Sequence, residues 1–295
     1  MLLRVRTQQL APHRTSLRVT LCRVHRAPRE MPRLQVQAQR QVWALDFDGV
    51  VCDSVGESAI AAWKASAQYW PEMFARPEVV ARREEIIDQL KVVRPVVETG
   101  YENLVLVRCL LAGVDPQAIL KDWHKLLGEH MQLWGLDRSE LLAAFGGMRD
   151  QMMQEDLAAW IDMNDIYPGV AEAVRRLVAD HEAYIVTTKQ ARFAEAILHR
   201  LAGVDLPPER IFSQAETGAP KSEILHLLEE RHPGTQYHFV EDKALTLHKV
   251  AAMPQLAHWN LYLVDWGYNT QEEREVVRRQ DRIKLISLDD FHALA

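Results

Sequence analysis

No apolar run in this sequence approaches the roughly 18 residues that a membrane-spanning helix needs, so no such helix is expected. Cysteine is scarce. Cys22, Cys52 and Cys109 show no metal-ligand spacing and cannot all pair, which argues against a disulfide framework and for reduced thiols in a non-secreted compartment. The twelve histidines are scattered without ligand spacing, and no internal repeat is visible.

Charge of one sign is scarce in the first 40 residues. They contain nine arginines, no lysine and a single acid, Glu30. That segment therefore carries +8, and the whole chain only −6, which leaves −14 to the remainder. An arginine-rich, acid-poor leader ahead of the first strand reads as an organelle transit peptide over residues 1–40, with the plastid ahead of the mitochondrion. Ala38, within "VQAQR", offers a small residue near which a processing protease could cut. The alternative is a disordered basic arm that binds nucleic acid or lipid. The acidic remainder argues against a nucleic-acid function, which usually leaves a basic footprint.

What the sequence does have is "ALDFDGVVCDS" at residues 44–54. A short apolar strand runs straight into Asp46, Asp48, a glycine and Asp53. Like charges so close together repel, and a buried carboxylate is costly without compensation. The pattern makes sense where a metal ion or a proton is managed. After it, residues 56–165 read as helical throughout, with Ser54 as a candidate cap, Asp115-Pro116 opening another helix and no convincing strand.

From Pro168 the pattern becomes alternating helices and strands. "AYIVTT", "RIFS", "QYHFVED", "WNLYLVDW" and "IKLISL" read as strands, separated by amphipathic helices. The expected fold is α/β: a parallel Rossmannoid sheet with helices on both faces, built from 41–55 and 166–295, plus an all-helical cap, 56–165, inserted after the first strand.

Ligands in such sheets bind beyond the carboxyl ends of the strands. The strand ends here carry Asp46 and Asp48, Thr187 and Thr188, and Glu241 and Asp242, with Lys221 opening a following helix. Carboxylates, hydroxyls and one ammonium on one rim suit phosphoryl transfer. A carboxylate can attack phosphorus, a second can move the proton of the leaving oxygen and of water, and Mg²⁺ favours such oxygen ligands.

The same four segments, in this order, resemble the haloacid dehalogenase superfamily, in its phosphoglycolate-phosphatase-like branch with an inserted helical cap. "DFDGVVCDS", "IVTTK", the lysine of "GAPKSE" and "FVEDKALTL" match its four motifs, and "YPGVAEAVRRL" resembles its return from the cap. "RPVVETGYENL" and "VDWGYNTQ" are similar to an uncharacterised plant and cyanobacterial group of that superfamily.

The resemblance implies a Mg²⁺-dependent phosphatase acting on a small phosphorylated metabolite through an aspartyl-phosphate. Asp46 would be the nucleophile and Asp48 the general acid/base. Thr187, Thr188 and Lys221 would bind substrate. Asp46, the backbone carbonyl of Asp48 and Asp242 would hold the metal. Where many relatives carry Gly-Asp, this chain has Glu241-Asp242, so Glu241 is either a ligand or a support for Lys221. Lys189 and Lys243 compete with Lys221 on the rim. A dehalogenase needs no second aspartate, and Asp48 is present. The alternatives are a phosphomutase or phosphonate hydrolase on the same fold, or a catalytically silent binding or regulatory module.

In the insertion, Arg94, Glu98, Tyr101, Glu102 and Arg108 are unusually polar for a helical seam. They form either a substrate-selecting face or a solvated face with internal ion pairs. Trp63, Trp70, Trp123, Trp134 and Trp160 read as its packing core.

Overall fold

Val42–Leu45 (β1) is buried along its whole length and pairs in parallel with a strand on either side. A run apolar on both faces is stable only when both faces are covered. The computed structural model in which this is seen describes residues 40–295; the proposed leader up to residue 39, with Ala38 and Cys22, lies outside the described residues.

Among the described residues, β1, β4 (Glu182–Thr187), β5 (Ile211–Ser213), β6 (Tyr237–Glu241), β7 (Trp259–Val264) and β8 (Ile283–Ile286) form one parallel sheet in the order β5-β4-β1-β6-β7-β8. Alternation along β1 divides its side chains between two apolar layers. Trp43 and Leu45 join the layer with Val174, Leu177 and Phe193, while Val42 and Ala44 join Leu225, Leu228 and Leu247. The first group lies on helices Val170–Asp180 and Ala191–Ile197, the second on Lys221–Arg231 and Ala244–Ala251. Helices thus cover both faces, as the alternating pattern requires.

Strand order runs from β1 outward through β4 and β5, then resumes on the other side with β6, β7 and β8. The reversal falls at β1, which makes its carboxyl end the crevice of the sheet.

Between Asp53 and Asp165 the chain forms eight α-helices, from Val55–Tyr69 to Leu157–Ile161. Trp63, Trp123 and Trp160 are buried in this helical insertion, as expected of packing residues. Asp115 caps helix Pro116–Leu133 by accepting the Gln117 N–H at 3.1 Å.

Two local expectations are corrected. Ser54 precedes helix Val55–Tyr69 but its side chain caps nothing; its hydroxyl donates to Asp48 Oδ1 at 2.6 Å, and Asp53 Oδ1 accepts the Val55 N–H at 3.2 Å instead. The stretch expected to lack strands contains one, because β2 (Cys52–Asp53) pairs antiparallel with β3 (Asp165–Ile166). Two-residue strands are too short to show a period in sequence. This ribbon holds together the two chain segments that enter and leave the insertion.

Candidate active site

Asp46 follows β1 directly, its N–H donating to Val240 O on β6 at 2.9 Å. The sheet thereby fixes Asp46 beside Glu241 and Asp242 at the end of β6. Ligand oxygens of these three buried carboxylates all lie within 4.8 Å of one another. Lys221, the first residue of its helix, reaches into the group. Its Nζ lies 2.9 Å from Asp46 Oδ1 and 2.7 Å from Glu241 Oε2.

The backbone turns sharply after Asp48 to make room for this cluster. Gly49 has φ +88°, and a Cβ there would fall 2.2 Å from Asp242 Oδ2. No side chain fits, which gives the glycine of the first motif its physical reason.

One ammonium cannot balance three carboxylates. Burial, and behind it the Asp46 charge, pushes the Glu241 carboxyl well above its ordinary range. Burial also lifts Asp242, against the pull of Lys243, up to about 6. Lys221 shows the converse: burial opposes its charge, yet Asp46 and Glu241 hold its ammonium above the usual lysine value. Asp242 Oδ2 accepts the Tyr268 N–H at 2.8 Å, while its Oδ1 is buried without a partner. An unpartnered carboxylate oxygen, facing two further carboxylates in an all-oxygen donor set, fits a hard divalent cation.

Asp48 stands apart from that cluster. Its side chain contacts Lys189 Nζ, at 3.0 Å from Oδ1 and 3.3 Å from Oδ2, as well as the Ser54 hydroxyl. Burial opposes ionisation, but Lys189, Arg94, Arg149 and the Ser54 hydrogen bond outweigh it and lower Asp48 to about 2. Its side chain is therefore an ionised proton acceptor here, and only its backbone carbonyl is left as a candidate metal ligand.

The strand-end threonines diverge. Thr187 is buried, with its Oγ1 accepting the Lys189 N–H at 3.1 Å. Thr188 lines a cavity of about 350 Å³ that also opens onto Asp46, Asp48, Lys221, Glu241 and Asp242. The three rim lysines separate as well. Lys221 joins the carboxylate cluster and Lys189 joins Asp48, whereas Lys243 Nζ donates to the carbonyls of Pro95 and Tyr268.

The helical insertion roofs this cavity. Arg94, Glu98, Tyr101 and Glu102 line it, while Arg108 instead lies between the rings of Trp70 and Trp134. Glu102 accepts from the N–H groups of Glu98 and Thr99 and from Trp123 Nε1, so it shapes the roof loop. Arg94 is buried, its guanidinium carbon 3.9 Å above the Tyr268 ring centroid.

Sequence reasoning had Lys189 only as a rival of Lys221, and had no role for Tyr268. For Lys189 the signal was its place directly after the two strand-end threonines; for Tyr268 it was the unusual "VDWGYNTQ" stretch.

Comparison with known proteins bears on the family and the fold. Residues 41–244 match the family model of haloacid dehalogenase-like hydrolases. None of the curated proteins matches the chain. Among solved structures, a predicted phosphatase from Clostridium acetobutylicum superposes with a TM-score of 0.51 at 15% identity, covering 87% of this chain and 98% of that one. A predicted phosphoglycolate phosphatase from Haemophilus somnus gives 0.50 at 15% identity, over 87% and 96%. At such identity the likeness is one of fold.

Proposed function

The chain belongs to the haloacid dehalogenase-like hydrolases, and from that membership and the geometry of the rim we propose that it is a Mg²⁺-dependent phosphatase of small phosphorylated metabolites. The observation that carries the reading is the buried group Asp46, Glu241 and Asp242 around one ammonium, at the crevice of the sheet, with the ionised Asp48 beside it.

Asp46 is the nucleophile in this reading. One of its oxygens forms a bond to phosphorus while the bond from phosphorus to the leaving oxygen breaks, giving an aspartyl-phosphate. Asp48, ionised before the substrate arrives, relays to the leaving oxygen the proton that a monoanionic phosphate ester brings with it. Water then attacks phosphorus, Asp48 takes that water's proton, and phosphate departs with the Asp46 carboxylate restored. The form of Asp48 held by Lys189 and Ser54 is the one this second step uses. Lys221 and the Thr188 side hold the phosphoryl oxygens, with Thr187 fixing the turn that carries Lys189. Asp46, Asp242 and the Asp48 carbonyl would hold Mg²⁺, which when bound offsets the negative charge gathered on the phosphoryl group.

Small-molecule sites commonly measure about 300–1,000 Å³, so the roofed cavity suits a metabolite. The acidic net charge supports a partner other than nucleic acid. The test is phosphate release from a panel of plastid and central-carbon phosphate esters, with Mg²⁺ and with chelator. Release that chelator abolishes supports the proposal. Absence of release from every ester, with Mg²⁺ bound, would point to a silent binding module instead.

A further inference from the structure

The loop from Trp266 to Asn269, after β7, is tied to the catalytic rim at each residue. Trp266 Nε1 donates to Val50 O at 3.1 Å, and Asn269 Nδ2 donates to both Asp242 O and Val264 O at 2.8 Å. Gly267 passes so close that a Cβ would fall 2.4 Å from Gly49 O and 2.5 Å from Asp242 Cβ.

Tyr268 reaches in three directions from this loop. Its N–H donates to Asp242 Oδ2 at 2.8 Å. Its hydroxyl donates to Asp53 Oδ1 at 2.7 Å and accepts the Ser54 N–H at 2.8 Å. Its ring seats the Arg94 guanidinium. Asp242 belongs to the carboxylate cluster, Asp53 and Ser54 are where the chain leaves the sheet for the helical insertion, and Arg94 belongs to the insertion itself. Asp53 also pairs with Asp165 across β2 and β3, so the outgoing and returning segments are held together.

We propose that Tyr268 is a positioning residue that braces the hinge of the cap against the metal carboxylate, so that cation binding and closed cap placement stabilise each other. The coupling rests on the Mg²⁺ reading above; the brace does not. Packing alone would not require the hydroxyl. A phenylalanine would fill the same space, but it would leave a buried N–H of Ser54 without its acceptor and Asp53 Oδ1 with the Val55 N–H as its remaining donor. Burial holds the phenol protonated, so it remains a donor to Asp53. A cation fixing Asp242 restricts the Tyr268 backbone, and through the ring the hydroxyl that holds the hinge. Linkage makes the effect reciprocal.

The test is hydrogen exchange over segments 52–56 and 164–167 in the full chain, with and without Mg²⁺, together with calorimetric Mg²⁺ binding, for wild type, Tyr268→Phe and Tyr268→Leu. Without metal, Tyr268→Phe should speed hinge exchange about tenfold and leave β1 unchanged. Mg²⁺ affinity should stay within about threefold, because the backbone N–H to Asp242 remains. Mg²⁺ should slow hinge exchange in wild type but not in Tyr268→Phe. Tyr268→Leu should also loosen the Arg94 loop; should that variant fail to fold, Tyr268→Phe still decides. Unchanged hinge exchange in metal-free Tyr268→Phe overturns the brace, and equal Mg²⁺ protection in both proteins overturns the coupling. A wild type that binds no Mg²⁺ overturns the coupling along with the cation reading, and the metal-free comparison distinguishes that failure from a failure of Tyr268.

Discussion

Lys189 Nζ lies 3.0 Å from Asp48 Oδ1, with the lysine side chain fully buried. This contact keeps the carboxylate ionised in a place where burial alone would neutralise it. Removing the ammonium should therefore raise the Asp48 pKa. In Lys189→Met we expect the acid limb of the pH profile for phosphate release to move to higher pH, and turnover at neutral pH to fall about 10- to 100-fold. Lys189→Arg should recover part of the loss. An unmoved acid limb in Lys189→Met would mean that Asp48 does not depend on this partner.

Glu241 and Asp242 should differ in what they do to metal binding. Glu241 is occupied by Lys221, at 2.7 Å, whereas Asp242 Oδ1 is buried and unpartnered. Asp242→Asn should raise the Mg²⁺ midpoint of activity about 10- to 100-fold, while Glu241→Gln should mainly lower turnover at saturating Mg²⁺ by a similar factor. A Mg²⁺ titration of both variants checks this. A larger midpoint shift in Glu241→Gln would invert the two assignments.

Away from the site, His238 stacks against Trp43, ring centroids 4.0 Å apart, and its Nδ1 meets the Tyr262 hydroxyl at 3.1 Å. Burial, aided by His181 and Lys284, lowers its pKa to about 4. The unfolded chain takes up this proton near the ordinary histidine value of about 6.5, the folded chain only near 4, so stability is lost as pH falls between them. The loss approaches about 3 kcal/mol at the acid end. The raised Glu241 and Asp242 pKa values act in the opposite sense, so the comparison is with His238→Phe, which keeps a stacking ring. Urea unfolding at pH 7 and 4.5 should show a shallower acid loss in that variant than in wild type. Equal losses would show that His238 is not the responsible group.

Much of the fold was legible because β1, β4, β6 and β7 are apolar runs that end abruptly in polar residues, and each such end marks one edge of the sheet. For the same reason the candidate residues Asp46, Asp48, Thr188, Lys221, Glu241 and Asp242 could be named from sequence and are found around one cavity. Pairing was not legible. Three lysines approach the rim, and only the folded chain determines that Lys189 meets Asp48 and Lys221 meets Asp46. Ser54 has the position of a helix cap, but its hydroxyl has a stronger acceptor in the ionised Asp48. Tyr268 and Asp53 are 215 residues apart in sequence, and no periodicity links them.

The most direct measurement is phosphate release from p-nitrophenyl phosphate, in the presence of Mg²⁺, by wild type and Asp46→Asn. Asparagine keeps the size of the side chain and removes the attacking oxygen anion. If Asp46 is the nucleophile, the variant should release phosphate at least about a thousandfold more slowly, and acid quenching should trap a phosphorylated aspartate in wild type alone. Wild-type rates of release in Asp46→Asn would contradict the account.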